Sequence, residues 1–178
     1  YSINVEQVKK KLYSSLNNYE NFDEKQIFFT EKSLENFFFV DLIINIFPNA
    51  KFIHTYRNID DNIIAIFQKF LTNISWSHSL QNIVQYTKHY LEAINFFKNK
   101  YPDKILSVSL EALTKNSQEV SKEIYKFSGL EWNNKALEFY KKKDLFSNTA
   151  SNIQIRKKIQ KYDYKKYKPY KKFIILYK

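Results

Sequence analysis

Arginine is rare in this chain, and its placement suggests a chemistry. Of 29 basic residues only Arg57 and Arg156 are arginine. A guanidinium offers a planar fork of N–H donors that meets two oxygens of one oxyanion at once, whereas an ammonium is a point charge. Positions where lysine has not taken over are therefore candidates for bidentate anion recognition. Arg57 follows Lys51-Phe52-Ile53-His54-Thr55-Tyr56, whose alternating character predicts a short strand. The turn dipeptide Pro48-Asn49 separates that strand from the apolar segment before it. In open α/β sheets ligands gather beyond the carboxyl ends of the strands, which is where Arg57 would lie. Lys32 holds the equivalent position after a second apolar run, Gln26 to Thr30.

The elements that must position these cations follow from the apolar spacing. Val5, Val8, Leu12 and Leu16 predict a helix over 5–16. Ile27–Thr30 is a strand-length apolar run, and Ser33 or Asn36 could cap a helix through Ile46. After Arg57, helices are expected over about 60–71 and 80–97, with Trp76 in the loop between them. Ile105 to Leu110 forms the third expected strand. A helix over 120–127 then stops at Gly129, a natural left-handed C-cap, and another spans about 132–140. Strands separated by helices of this length predict parallel pairing with right-handed crossovers. The expected fold class is thus α/β, with strands near Ile27–Thr30, Lys51–Tyr56 and Ile105–Ser109 in one sheet.

Composition narrows the function. With 178 residues, 44% of them apolar, the chain is one domain or most of one, with material for a core. Its single glycine, Gly129, excludes a Walker loop and a dinucleotide fingerprint within these residues. Without cysteine there is no disulfide framework, and three scattered histidines argue against a metal site. Phe37 to Phe47 is interrupted by Asp41 and Asn45 and is too short to span a bilayer, and no signal peptide is visible, so the expected location is cytoplasmic. The chain opens on Tyr1 and contains no methionine, and is expected to be a piece whose beginning lies elsewhere. Residues 156–178 carry ten basic groups against one acid, a net +9, which leaves +2 for all the rest. Such a tail favours polyanions: nucleic acid, anionic lipid or a phosphorylated ligand. Neutralising single tail residues such as Lys171 or Lys172 is expected to matter little for ligand binding, and mostly at low salt.

An ordered set of motifs then resembles the sulfotransferases that use 3′-phosphoadenosine 5′-phosphosulfate (PAPS), most closely the bacterial tetratricopeptide-linked and tyrosylprotein types. The set runs Thr30-Glu31-Lys32, Asn36-Phe37, Phe47-Pro48-Asn49-Ala50-Lys51 to Arg57, Trp76-Ser77, Val108 to Leu113 with Glu111, Phe127 to Trp132, and Thr149 to Arg156, followed by Tyr167 and Tyr170. The resemblance implies a P-loop-NTPase-like parallel sheet flanked by helices. On it, residues 1–178 are the carboxyl-terminal two-thirds of a single sulfotransferase domain, with a basic Lys/Tyr-rich tail. It implies that Lys32 stabilises charge on the transferring sulfuryl group and that Arg57 binds the cofactor's 3′-phosphate, with Lys69 as a second basic contact. Ser151 lies near the bridging oxygens of the cofactor, and Gln154, Arg156 and Lys157 belong to a segment that covers it. Lys32, Arg57 and Ser151 are accordingly expected to converge on one cleft. No metal is implied, and the acceptor is a hydroxyl of a glycan, a protein tyrosine or a small molecule.

The sequence also departs from the family pattern. Ala65 stands where a serine would share the 3′-phosphate, Leu110 where a tyrosine precedes Glu111, Lys165 where a late glycine is usual, and Leu34 in place of a proline. The loop that cradles the 5′-phosphosulfate and the family's general base have no counterpart in these residues. His54, His78 and His89 do not match that base; His54, inside a strand pattern, is expected to be a satisfied core histidine. Two rival readings stay open on sequence alone. One is a nucleic-acid-binding module using the Tyr/Lys tail, although no nucleic-acid partner is expected. The other is a non-catalytic relative of the sulfotransferases.

Overall fold

The computed structural model describes residues 4–16, 28–142 and 154–177. Helix α1 (Val5–Leu16) begins where the Asn4 side chain accepts a 3.1 Å hydrogen bond from the Gln7 N–H, and it packs on α2 (Val40–Ile46). A 3₁₀ turn over Asn36–Phe38 precedes α2, so the single long helix expected from Ser33 or Asn36 is divided in two. Pro48 then carries the chain into strand β1 (Phe52–Tyr56).

From β1 the chain crosses through α3 (Ile59–Lys69), a 3₁₀ turn at Ser75–His78 and α4 (Leu80–Lys100) to strand β2 (Ile105–Ser109). The strands are parallel, with Phe52 opposite Ile105, His54 opposite Ser107 and Tyr56 opposite Ser109. Helix α3 stops because Phe70 takes a left-handed conformation (φ 44°), where glycine would be usual; its ring stacks on His78, with centroids 4.5 Å apart. After β2 come α5 (Leu110–Lys115) and α6 (Ser117–Ser128). Gly129, at φ 73°, closes α6 with hydrogen bonds from its own N–H to Lys126 and from the Leu130 N–H to Tyr125.

The expected strand at Ile27–Thr30 is not formed over its described part. Phe28, Phe29 and Thr30 are irregular and exposed, and the sheet among the described residues has two strands. A short apolar run specifies burial as readily as pairing, and here Phe29 instead sets its ring edge-on to Phe47, 5.7 Å away. Leu110 is likewise helical and not the last strand residue, since the Ser109 side chain caps α5 by accepting from the Ala112 N–H at 3.2 Å. The helix expected at 132–140 is a 3₁₀ stretch over Asn134–Lys141.

Two buried clusters hold these elements together. Val40, Phe97 and Ile105 pack with Phe52 and Tyr101 beneath one face of the sheet. The larger cluster joins Ile63, Ile64 and Ala65 of α3 to Ile83 and Val84 of α4, and to Tyr167 and Ile174 of the basic tail. The tail is thus part of the core and not a solvated appendage. Burying Ile174 alone stabilises this docking by roughly 1.5–3 kcal/mol. No helix among the described residues is long and apolar enough to cross a membrane.

Candidate functional site

The carboxyl ends of β1 and β2 turn into helices side by side, and one carboxylate ties the two junctions together. Glu111, in the first turn of α5, accepts from the Asn58 backbone N–H at 2.8 Å through one oxygen and from the Ser109 hydroxyl at 2.8 Å through the other. Burial works to raise its pKa. Hydrogen bonds from the Asn58 and Glu111 N–H groups and the Ser109 hydroxyl outweigh it and hold the carboxyl below its usual range. Asn58 in turn caps α3, its Oδ1 accepting from the Asp61 N–H at 3.1 Å.

Arg57 lies between these junctions. Its Nε donates to Asn62 Oδ1 at 3.2 Å, and its guanidinium stands 5.6 Å from the centre of the Tyr167 ring. The fork is therefore held from two sides while its two terminal Nη groups have no partner among the described residues. A preorganised guanidinium with free Nη donors at the strand exit is equipped to grip an oxyanion.

Directly behind it is a buried charge. Asp61 is 2% exposed, and it accepts from the Tyr162 hydroxyl at 2.6 Å on one oxygen while pairing with Lys171 Nζ at 2.9 Å on the other. Burial first, and the bond to Asp61 second, push the Tyr162 phenol far above its ordinary range. Lys171 also reaches Asn58 Oδ1 at 3.3 Å, and the Tyr162 N–H donates to Thr114 at 3.2 Å. The tail is fastened to the start of α3 at Asp61 and Asn58 and to α5 at Thr114. Lys171 is therefore tied into the fold, whereas Lys172 is exposed, its ammonium 5.1 Å from the centre of the Phe173 ring.

The other sequence-predicted residues are placed as follows. Lys32 is exposed, on a turn organised by Glu31, whose carboxylate accepts from the Ser33 backbone and hydroxyl and from the Asn36 amide. That turn leads to Phe37, which packs on Tyr86 and Tyr90 of α4, but no described contact joins Lys32 to Arg57. Lys69 is in the last turn of α3, roughly 15 Å of helix from the Arg57 end. Ser151 lies outside the described residues, as does the side chain of Gln154. Arg156 closes the 3₁₀ turn Gln154–Arg156, which packs on 134–141, and Lys157 beyond it is exposed. Ala65 is buried in the larger core cluster and offers no hydroxyl to a ligand. Asn62, Asp61 and Tyr162 were not singled out by sequence reasoning, and Lys171 was expected to matter little. A usable signal for Asp61 existed, because it falls three residues before Ile64 on the apolar face of α3, where a lone acid needs a partner.

His54 is half-buried in β1, with Nδ1 at 3.1 Å from the Ser107 hydroxyl and Nε2 on the Tyr90 hydroxyl. Burial, aided by the charge of Lys98, lowers its pKa below the ordinary 6.5. The unfolded chain therefore binds the proton more readily than the folded one. Stability is full above about pH 6.5 and is lost as pH falls from there toward the folded value. Thermal midpoints measured from neutral to mildly acidic pH are expected to fall for the wild type and to flatten in His54→Gln. An unchanged slope in that variant would assign the acid sensitivity elsewhere.

Among the described residues no group of histidine, cysteine and carboxylate side chains could hold a metal ion. A family model described as the Sulfotransferase family matches residues 4–134, which include Lys32, Arg57, Glu111 and both strands. An uncharacterized protein of Aquifex aeolicus (strain VF5) is 30% identical over 148 residues, covering 81% of this chain and 19% of that protein. The chain thus spans about a fifth of the length of that relative.

Proposed function

This chain belongs to the sulfotransferase family, and from that premise we propose that it supplies the 3′-phosphate side of a PAPS-binding site in a sulfotransferase. On this reading residues 1–178 are the carboxyl-terminal two-thirds of one P-loop-like domain. The 5′-phosphosulfate cradle and the general base then belong to sequence outside them. The observation that carries the reading is Arg57 at the exit of β1, fixed by Asn62 and Tyr167, with its terminal donors unpartnered among the described residues.

The donor would supply its sulfuryl group to an acceptor hydroxyl of a glycan, a protein tyrosine or a small molecule: the bridging S–O bond breaks, adenosine 3′,5′-bisphosphate leaves, and the hydroxyl proton goes to the general base outside these residues. This chain's residues bind and neutralise. Arg57 takes the 3′-phosphate in bidentate fashion, and with Ala65 in the serine position the grip rests on the guanidinium. The Lys32 ammonium stabilises charge developing at the sulfuryl oxygens. Ser151 and the Gln154, Arg156 and Lys157 segment cover the nucleotide, with Lys69 as a more distant basic contact. The nucleic-acid alternative would use tail tyrosines for stacking; Tyr167 is buried and Tyr162 is committed to Asp61, which leaves Tyr164, Tyr170 and Tyr177 exposed for it.

Calorimetry separates the readings. Adenosine 3′,5′-bisphosphate is expected to bind about tenfold or more tightly than adenosine 5′-monophosphate, the fold-change of one charge-assisted contact. Equal affinities for the two nucleotides would sink the proposal.

A further inference from the structure

The last turns of the described chain hold an apolar ridge out of the fold. Ile174 is 1% exposed, locked among Ile63, Ile64 and Ile83, and that anchor leaves its neighbours no inward direction. Ile175 and Leu176 are consequently 72% and 81% exposed. In the 3₁₀ turns over 168–173 and 175–177, residues three apart stand over one another, so Phe173 and Leu176 share a side. Together with Phe67, Tyr170 and Tyr177 they line a cavity of about 390 Å³ whose walls are almost wholly apolar. Contiguous exposed apolar surface on this scale marks an interaction site more often than chance.

The segment that carries the ridge is strongly basic. Lys165, Lys166, Lys168 and Lys172 are exposed, and Asp163 is the one acid in a segment of net +9. We propose that the ridge and its lysine collar dock this domain on an anionic lipid bilayer surface. Aliphatic and aromatic side chains flanked by lysine suit the boundary between acyl chains and headgroups, where Ile175 and Leu176 enter and the ammonium groups meet phosphates. Nucleic acid would use the lysines and leave the aliphatic ridge in water. A protein partner would need a matching acidic rim around an apolar groove. The proposal is independent of the transferase reading, and its test needs no activity.

Co-sedimentation with large vesicles provides that test. The protein is expected to pellet with equimolar phosphatidylglycerol and phosphatidylcholine, not with phosphatidylcholine alone, and to be released by high salt. Ile175→Ser combined with Leu176→Ser is expected to lower the partition about tenfold or more, since two aliphatic side chains lose their burial. Both residues are exposed, so the thermal midpoint of this variant should match the wild type. Lys165→Gln with Lys168→Gln should weaken binding at low salt only. Absence of pelleting with anionic vesicles overturns the proposal. So does ridge-variant binding equal to the wild type with an oligonucleotide stripping both alike, which would make the lysines a general polyanion site.

Discussion

Lys171→Met is expected to lower the thermal midpoint by about 6–12 °C. Asp61 is a carboxylate at 2% exposure, and Lys171 is its one charged partner among the described residues. Removing the cation leaves an uncompensated buried charge, which costs about 3–5 kcal/mol in general. The Lys171 side chain is itself 36% exposed, so water can follow it in, and the low end of about 3 kcal/mol applies here. In a domain of this size each kcal/mol moves the midpoint by about 2–4 °C. Lys172→Met is the control, with an expected change within about 0.5 kcal/mol. The pair Asp61→Leu with Lys171→Met should recover most of the loss, because an apolar substitute for a buried ion pair is often neutral. Equal shifts for the two lysine variants, by differential scanning calorimetry, would show that the Asp61 pair does not hold the tail.

Arg57→Lys should weaken adenosine 3′,5′-bisphosphate binding about tenfold to a hundredfold while leaving stability almost unchanged. The substitution keeps the charge and removes the fork. A charge-assisted hydrogen bond contributes roughly 1.5–3 kcal/mol, and lysine can neither donate two parallel bonds nor present a planar group to the Tyr167 ring as arginine does. With Ala65 in the core, that position supplies no hydroxyl to make up the deficit. Adenosine 5′-monophosphate, lacking the 3′-phosphate, should be bound equally by wild type and variant. A variant that loses both nucleotides in proportion would place Arg57 on some other part of the ligand.

The legible parts of this protein were those set by local pattern. The spacing of Ile63, Ile64 and Phe67 announced α3, the alternation from Lys51 to Tyr56 announced β1, and Gly129 marked the end of α6. Arg57 at the strand exit followed from the same pattern. Phe28–Thr30 could not be judged in this way, because an apolar triplet looks the same whether it pairs or merely packs. The largest gap concerned the tail. Tyr167 and Ile174 sit among lysines and resemble a solvated stretch. What buries them lies on α3, and the Asp61–Tyr162 bond joins residues 101 positions apart. Pairings at that distance leave no periodic trace, and only a lone acid on an apolar helix face hinted at one.

The parallel pairing of β1 with β2 also sets the order in which the chain can assemble. His54 and Ser107 are opposite each other across the sheet yet 53 positions apart in sequence. Closing a loop of that length costs roughly 3.5 kcal/mol of chain entropy beyond a constant term, and no hairpin is available to pre-align the strands. The intervening helices relax in about a microsecond or less when isolated, and the α3–α4 contact through Ile63 and Ile83 is shorter in range. Contact order thus predicts that the helical pair gathers before the two strands meet, and that the tail, whose bonds to Asp61 and Asn58 span 101 to 113 positions, docks after the sheet on which the Arg57 exit depends.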